Sequence, residues 1–239
     1  MPRSSSIETR VAALDWGRIA EDLDARGSAV VGELLSASEC RGLIALYGEV
    51  ARFRSRVVMA RHGFGRGEYQ YFDHPLPELI ARLRETAYPR LARVANAWAD
   101  RMRGARHFPE TLEELSHECR AAGQTKPTPL ILRYGADDYN CLHQDLYGEI
   151  AFPLQLAVLL NEPGEDFQGG ELVLTEQRPR MQSRVEVVPL ARGEAVVFAV
   201  RDRPVQGTRG TYRVQMRHGV SRLRSGSRFT LGVIFHDAK

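Results

Sequence analysis

Leu142-His143-Gln144-Asp145 stands at the end of a run that begins at Tyr139. Side chains alternate along an extended strand, so His143 and Asp145, two positions apart, project from one face. Such a pair can hold one metal ion from one side and needs a third ligand from elsewhere. His218, in Arg217-His218-Gly219-Val220-Ser221, offers it. Two imidazoles and one carboxylate on one face of an ion leave three positions open, a facial arrangement that suits Fe(II).

Outward from that stretch, the chain from Pro127 onward breaks into short apolar runs separated by Gly, Pro and charged turns. They are Leu130–Tyr134, Tyr139–His143, Phe152–Leu160, Glu171–Leu174, Val185–Val188, Ala195–Val200, Val214–Val220 and Arg228–Phe235. Eight runs in about 110 residues read as the antiparallel strands of a sandwich or barrel. In a jelly roll the strands of His143 and His218 can be neighbours across one sheet, so the three ligands converge. Arg228 opens the last run, ten residues after His218. Its guanidinium can reach the same cavity and bind an anionic co-substrate through a bidentate carboxylate contact. Tyr134, nine residues before His143, is expected on the adjoining strand as a hydrogen-bond donor to that ligand, with Asn140 as a further polar candidate. Cys141 falls on the face of His143 and reads as a small buried hydrophobe.

The first half has another character. Residues 1–10 read as a loose terminus. Apolar spacing predicts a helix over Trp16–Ala25 ended by Gly27, then a strand over Ala29–Leu34. Ser36-Ala37-Ser38-Glu39 is a capping box that opens a helix to about Arg52. Pro77 to Met102 is helical, with Pro89 expected to break or kink it. Pro109 to Ala122 is a further helix. His107 and His117 there read as surface residues, and His62, His74 and His236 as satisfied polar residues. Between these helices lies Arg61-His62-Gly63-Phe64-Gly65-Arg66-Gly67-Glu68-Tyr69-Gln70-Tyr71-Phe72. Arginines alternating with aromatics around three glycines read either as a mobile lid or as a hairpin with a glycine-rich turn. In the lid, rings stack on a planar group and arginines meet phosphate. The expected architecture is α+β: a double-stranded β-helix (jelly-roll) core over residues 127–239, under a mainly helical N-terminal layer over 1–126, in one domain.

Composition sets the remaining limits. The chain has 239 residues and 43% hydrophobic content, enough for one sizeable core. No apolar run approaches the roughly 18 residues of a membrane span. The start carries no apolar signal-peptide segment. Three cysteines, Cys40, Cys119 and Cys141, are too few and scattered for a disulfide framework, and the protein reads as reduced and cytoplasmic. Net charge is +3, and only Lys126 and Lys239 are lysines, so the basic balance alone says little of a nucleic-acid partner.

With these residues assembled, the second half resembles the Fe(II)/2-oxoglutarate-dependent dioxygenase superfamily. The likeness rests on His143-Gln144-Asp145, Phe167-Gln168-Gly169-Gly170-Glu171-Leu172, the stretch Pro189 to Phe198, His218 and Arg228. The Gly-Gly-Glu-Leu turn and the Pro…Gly…Phe stretch resemble the prolyl hydroxylase branch. His-Gln-Asp with a tyrosine nine residues earlier resembles the AlkB branch of nucleic-acid demethylases. The chain is most similar to a bacterial family of such oxygenases proposed to act on damaged nucleic acid. It shares Tyr-Asn-Cys-Leu-His-Gln-Asp, Glu-Gln-Arg-Pro-Arg and Arg-His-Gly-Val-Ser-Arg. One departure is the ten-residue step from His218 to Arg228, which is the spacing of the hydroxylases; AlkB enzymes place this arginine later and follow it with a second.

The resemblance implies Fe(II) on His143, Asp145 and His218, with 2-oxoglutarate and O₂ as co-substrates. It implies that Arg228 pairs with the far carboxylate of 2-oxoglutarate, assisted by Tyr134 and Asn140. The implied reaction hydroxylates a C–H bond, by oxidative demethylation of alkylated DNA or RNA. The alternatives are a peptidyl (prolyl-type) or small-molecule hydroxylase and, in another class, a non-catalytic jelly roll that binds without turnover. Two stretches are candidate contacts for single-stranded or damaged nucleic acid. One holds Arg61, Phe64, Arg66, Tyr69 and Tyr71. The other is Glu176–Arg184, with Arg178 and Arg180, which reads either as a loop over the barrel mouth or as a solvated hairpin tip.

Overall fold

A computed structural model describes residues 5–239, so Met1 to Ser4 of the expected loose terminus lie outside the described residues. The rest of that segment is not loose. Helix α1 (Ile7–Ala12) starts there, capped by Ser6, and buries Ile7 and Val11. Helix α2 (Trp16–Arg26) ends on Gly27, whose φ of 78° is the left-handed conformation glycine adopts without strain. Strand β1 (Ser28–Glu33) follows, then α3 (Ala37–Leu46) behind the Ser36/Glu39 capping box. Helix α3 stops at Leu46, short of the expected Arg52; a separate 3₁₀ turn covers Val50–Arg52.

The glycine-rich stretch takes the hairpin form. Strand β2 (Phe53–Val58) pairs antiparallel with β4 (Glu68–Phe72), and the turn between them carries the two-residue strand β3 (Gly65–Arg66). Helix α4 (Glu78–Arg101) runs on through Pro89. An interior proline costs about 3 kcal/mol. The helix buries Ile80, Leu83, Tyr88, Leu91 and Trp98 on one side, and at about 1.5–3 kcal/mol for each large apolar side chain that stripe outweighs the cost. Helix α5 (Leu112–Ala121) begins behind a Thr111/Glu114 capping box, after Pro109.

The second half supplies β5 (Leu130–Tyr134), β6 (Tyr139–His143), β7 (Leu154–Leu159), β8 (Phe167–Gly169), β9 (Leu172–Gln177) and β10 (Arg184–Val188). It continues with β11 (Glu194–Ala199), β12 (Asp202–Gly207), β13 (Gly210–Val220), β14 (Leu223–Gly226) and β15 (Arg228–Val233). Seven strands form one sheet in the order β1-β11-β7-β15-β5-β4-β2. The other large sheet runs β10-β9-β13-β6-β3, with β12 on β13, and β14 pairs β8. All pairings between these strands are antiparallel.

Two expectations need correction. The N-terminal half is not a helical layer alone, because β1 and β2 form the two edges of the seven-stranded sheet, β4 lies next to β2, and β3 joins the other sheet. Tyr134 and His143 are not on adjoining strands, because β5 and β6 belong to different sheets. One hydrophobic cluster joins the halves, packing Val11, Leu23, Trp98 and Leu115 with Phe152, Phe198 and Phe235. Strand β12 escapes a pattern search because it opens Asp202-Arg203-Pro204. Its Arg203 is nonetheless buried, ion-paired with the buried Glu176 of β9 and donating to the Asp24 carbonyl near the end of α2.

Candidate active site

Strands β6 and β13 build the proposed metal face. His143 is the last residue of β6 and sits directly opposite His218 of β13. The register shifts just past that pair, at Gly219. A Cβ there would lie 2.6 Å from the Asn140 carbonyl oxygen, so only glycine allows the two strands this close. Asp145 follows two residues beyond the strand. Gln144 Nε2 donates to the Met216 carbonyl at 2.8 Å and straps the segment to β13.

One ligand atom from each of His143, Asp145 and His218 lies within 4.8 Å of the others. His218 Nε2 is 3.2 Å from Asp145 Oδ2, and His143 Nε2 is 3.5 Å from Oδ1. His143 Nδ1 is 2.8 Å from the Cys141 carbonyl oxygen. That oxygen can only accept, so Nδ1 carries the hydrogen and the Nε2 lone pair is left for a metal. Tyr147 donates its hydroxyl hydrogen to Asp145 Oδ1 at 2.5 Å. The His218 ring packs 4.8 Å from Phe198. Burial alone would raise the Asp145 carboxyl, but the two imidazoles outweigh it and hold the group well below the usual carboxylate range. Burial, reinforced by His143, keeps His218 toward the neutral form a ligand requires.

A cavity of about 310 Å³ opens beside the triad. At one end stands Arg228, opposite Tyr134 in the β15–β5 pair, with its guanidinium 5.6 Å from the Tyr134 ring and 6.0 Å from Phe167. Arg228 is 3% exposed, and its Nε and Nη1 have no hydrogen-bond partner among the described residues. Glu171 acts on the guanidinium only at a distance, with no direct ion pair among the described residues; a buried guanidinium so placed is costly, and a carboxylate bound to it would offset that cost. Gly170, with φ of 65°, keeps the space free: a Cβ there would be 3.1 Å from Arg228 Cδ. Asn140 Nδ2 donates to the Tyr134 hydroxyl at 3.4 Å. Two nitrogen donors and one carboxylate suit Fe(II), and the orphaned cation across the cavity suits the far end of a dicarboxylate.

Of the residues named from sequence, His143, Asp145, His218, Arg228, Tyr134, Asn140, Phe64 and Tyr69 all line this cavity. Cys141 lines it too, and is exposed rather than the buried hydrophobe expected of it. Arg61, Arg66, Tyr71, Arg178 and Arg180 do not line it. Tyr71 is buried behind the wall, edge-on to Tyr69 at 5.3 Å and to Tyr147 at 6.1 Å, with the Arg54 guanidinium 4.4 Å from its ring. Arg178 and Arg180 stand at the β9–β10 turn, away from the triad. Strand β10 is an edge, with β9 and β13 between it and β6, and Arg178 is held by Glu176 at 2.7 Å. Three further cavity residues, Tyr147, Gln155 and Thr230, escape the reading of the sequence. For Gln155 a signal exists, since it is the one polar side chain in the apolar run Phe152–Leu160.

The His-Asp-His face and the family match together make this chain a 2-oxoglutarate- and Fe(II)-dependent dioxygenase. The chain belongs to the oxygenase family described as catalysing oxidative methylation of damaged DNA, whose family model matches residues 67–238. Two uncharacterized proteins of Mycobacterium tuberculosis, from strains CDC 1551 and H37Rv, are each 47% identical over 167 residues, covering 70% of this chain and 72% of theirs. Among solved structures, the fold is similar to a Pseudomonas putida prolyl-4-hydroxylase, with TM-score 0.53, 15% identity, and coverage of 94% of this chain and 100% of that one. It is equally similar to a 2OG-Fe(II) oxygenase family oxidoreductase of Burkholderia pseudomallei, with TM-score 0.53, 16% identity, and coverage of 93% and 92%. No helix of the described residues is long and apolar enough to cross a membrane.

Proposed function

We propose that this dioxygenase removes N-alkyl groups from damaged nucleic acid by hydroxylating the carbon bonded to a base nitrogen. In this reading His143, Asp145 and His218 hold Fe(II). Arg228 pairs with the far carboxylate of 2-oxoglutarate, and the Tyr134 hydroxyl and Asn140 amide help to fix it. When bound, the metal and its co-substrates supply the oxidation: 2-oxoglutarate becomes succinate and CO₂, and one atom of O₂ enters the substrate C–H bond. An N-hydroxymethyl product then releases formaldehyde and leaves the bare amine. The protein's own residues orient the co-substrate and keep the cavity apolar.

The observation that carries the reading is the family match over residues 67–238. The cavity mouth supports it. Phe64 and Leu142 are exposed apolar side chains there, and His62 stacks on Phe64 at 5.3 Å. A base taken out of its stack needs such surfaces to rest against. Arg61 and Arg66, both exposed, flank Phe64 in sequence and can meet phosphates.

The test is incubation with Fe(II), 2-oxoglutarate and a single-stranded oligodeoxynucleotide carrying one N-methylated base, at low salt. Formaldehyde and succinate in equal amounts are expected. Hydroxylation of a proline-containing peptide, with no action on the oligonucleotide, would overturn the reading in favour of the peptidyl one, which the His218–Arg228 spacing favours.

A further inference from the structure

We propose that Gln155 is a specificity-determining residue whose carboxamide hydrogen-bonds the edge of the nucleobase being repaired. This role rests on the nucleic-acid reading above and deepens it. Gln155 lies in β7, all of whose residues are buried, and is itself 6% exposed. It lines the cavity, and its Oε1 has no hydrogen-bond partner among the described residues. Leaving a buried carboxamide unsatisfied is unfavourable, and a leucine or methionine would fill the same place without that cost. Oε1 itself is sealed in this arrangement, so the carboxamide must turn toward the cavity it lines to meet a partner that enters there.

Its position says what that is. Gln155 is directly opposite Phe198 in the β7–β11 pair, and the Phe198 ring packs on His218. Gln155 thus stands at the level of the triad. Arg228 lies the other way along the sheet: β15 pairs Thr230 with Leu159 and Gly232 with Ala157, so the register carries Gln155 beyond Gly232, away from Arg228. About six residue levels at about 3.3 Å each put roughly 20 Å of sheet between the two backbones. A dicarboxylate reaching from the triad toward Arg228 leaves Gln155 free for the substrate. A carboxamide is neutral, with one acceptor oxygen and two donor hydrogens. It complements a planar neutral edge that offers a donor beside an acceptor, as a nucleobase does.

The test compares wild type with Gln155→Met, a variant of similar size that removes the unsatisfied amide and is expected to fold with unchanged or higher thermal stability. Anaerobic binding of Fe(II) and 2-oxoglutarate should stay within about twofold. On N-methylated oligonucleotides kcat/KM should fall about 10- to 100-fold, and the preference among methylated adenine, cytosine and thymine should flatten. Unchanged kcat/KM and preference in the variant would overturn the inference, as would a loss confined to 2-oxoglutarate binding. A wild-type enzyme inactive on every methylated oligonucleotide would instead overturn the nucleic-acid reading, and the base-reading role with it.

Discussion

Tyr147 gives Asp145 its orientation. With Oδ1 accepting from the Tyr147 hydroxyl, Oδ2 is the oxygen turned toward His218. Hydrogen bonds of this kind to a metal-binding carboxylate are typically worth about 10- to 100-fold in metal affinity. Tyr147→Phe should therefore weaken binding of Fe(II), or of Mn(II) as a redox-inert probe, by about that factor in a calorimetric titration, with the fold intact. Unchanged affinity would show that the strand ends alone fix the carboxylate. Tyr147 cannot be read from the sequence, because strand alternation places His143 and Asp145 but says nothing of a side chain beyond the strand end. The triad and Arg228 are legible, since they sit at or next to strand positions with fixed spacing. The orphaned atoms of Arg228 and Gln155 are not, because satisfaction of a polar group depends on neighbours far away in sequence.

At the scale of elements, the segment after β15 is tied into the core by polar contacts. Arg84 Nη2 of α4 donates to the Phe235 carbonyl at 2.9 Å, and the Phe152 N–H donates to His236 Nδ1 at 3.1 Å. His236 is fully buried, its Nε2 unpartnered among the described residues, so it is not the satisfied polar residue expected of it. Burial pushes its pKa down to about 4. Because the folded pKa lies below the unfolded value of about 6.5, the unfolded chain takes up the proton first as pH falls. Well above pH ~6.5 the group has no effect; between about 6.5 and 4 it destabilises the fold progressively, by at most about 3 kcal/mol. Urea midpoints from about pH 7 to about pH 5 should fall more steeply in wild type than in His236→Asn, which keeps an acceptor and cannot titrate. Parallel curves would contradict this. Among the helices, the capping box of α3 and the Gly27 stop of α2 are readable because they are local chemistry; the passage of α4 through Pro89 is not, because it is decided by burial against distant strands.

Across the whole molecule, the site depends on two sheets meeting. The sheet containing β6 and β13 carries the three proposed ligands at or just beyond its strands, and the sheet containing β5, β7 and β15 carries Tyr134, Gln155 and Arg228. Short apolar runs between turn residues disclose most of these strands, and their number points to a sandwich or barrel. The pairing of β1 with β11 and of β4 with β5 joins residues at least 59 positions apart, and no local pattern contains it. The chemistry stands or falls on one cavity holding Fe(II) on the triad and 2-oxoglutarate between the triad and Arg228. Anaerobic titration of the protein with Fe(II) and 2-oxoglutarate, followed by visible absorption, tests this most directly. A weak charge-transfer band that appears in wild type and is lost in His218→Ala is the predicted result; no band in folded, metal-loaded wild-type protein would contradict it.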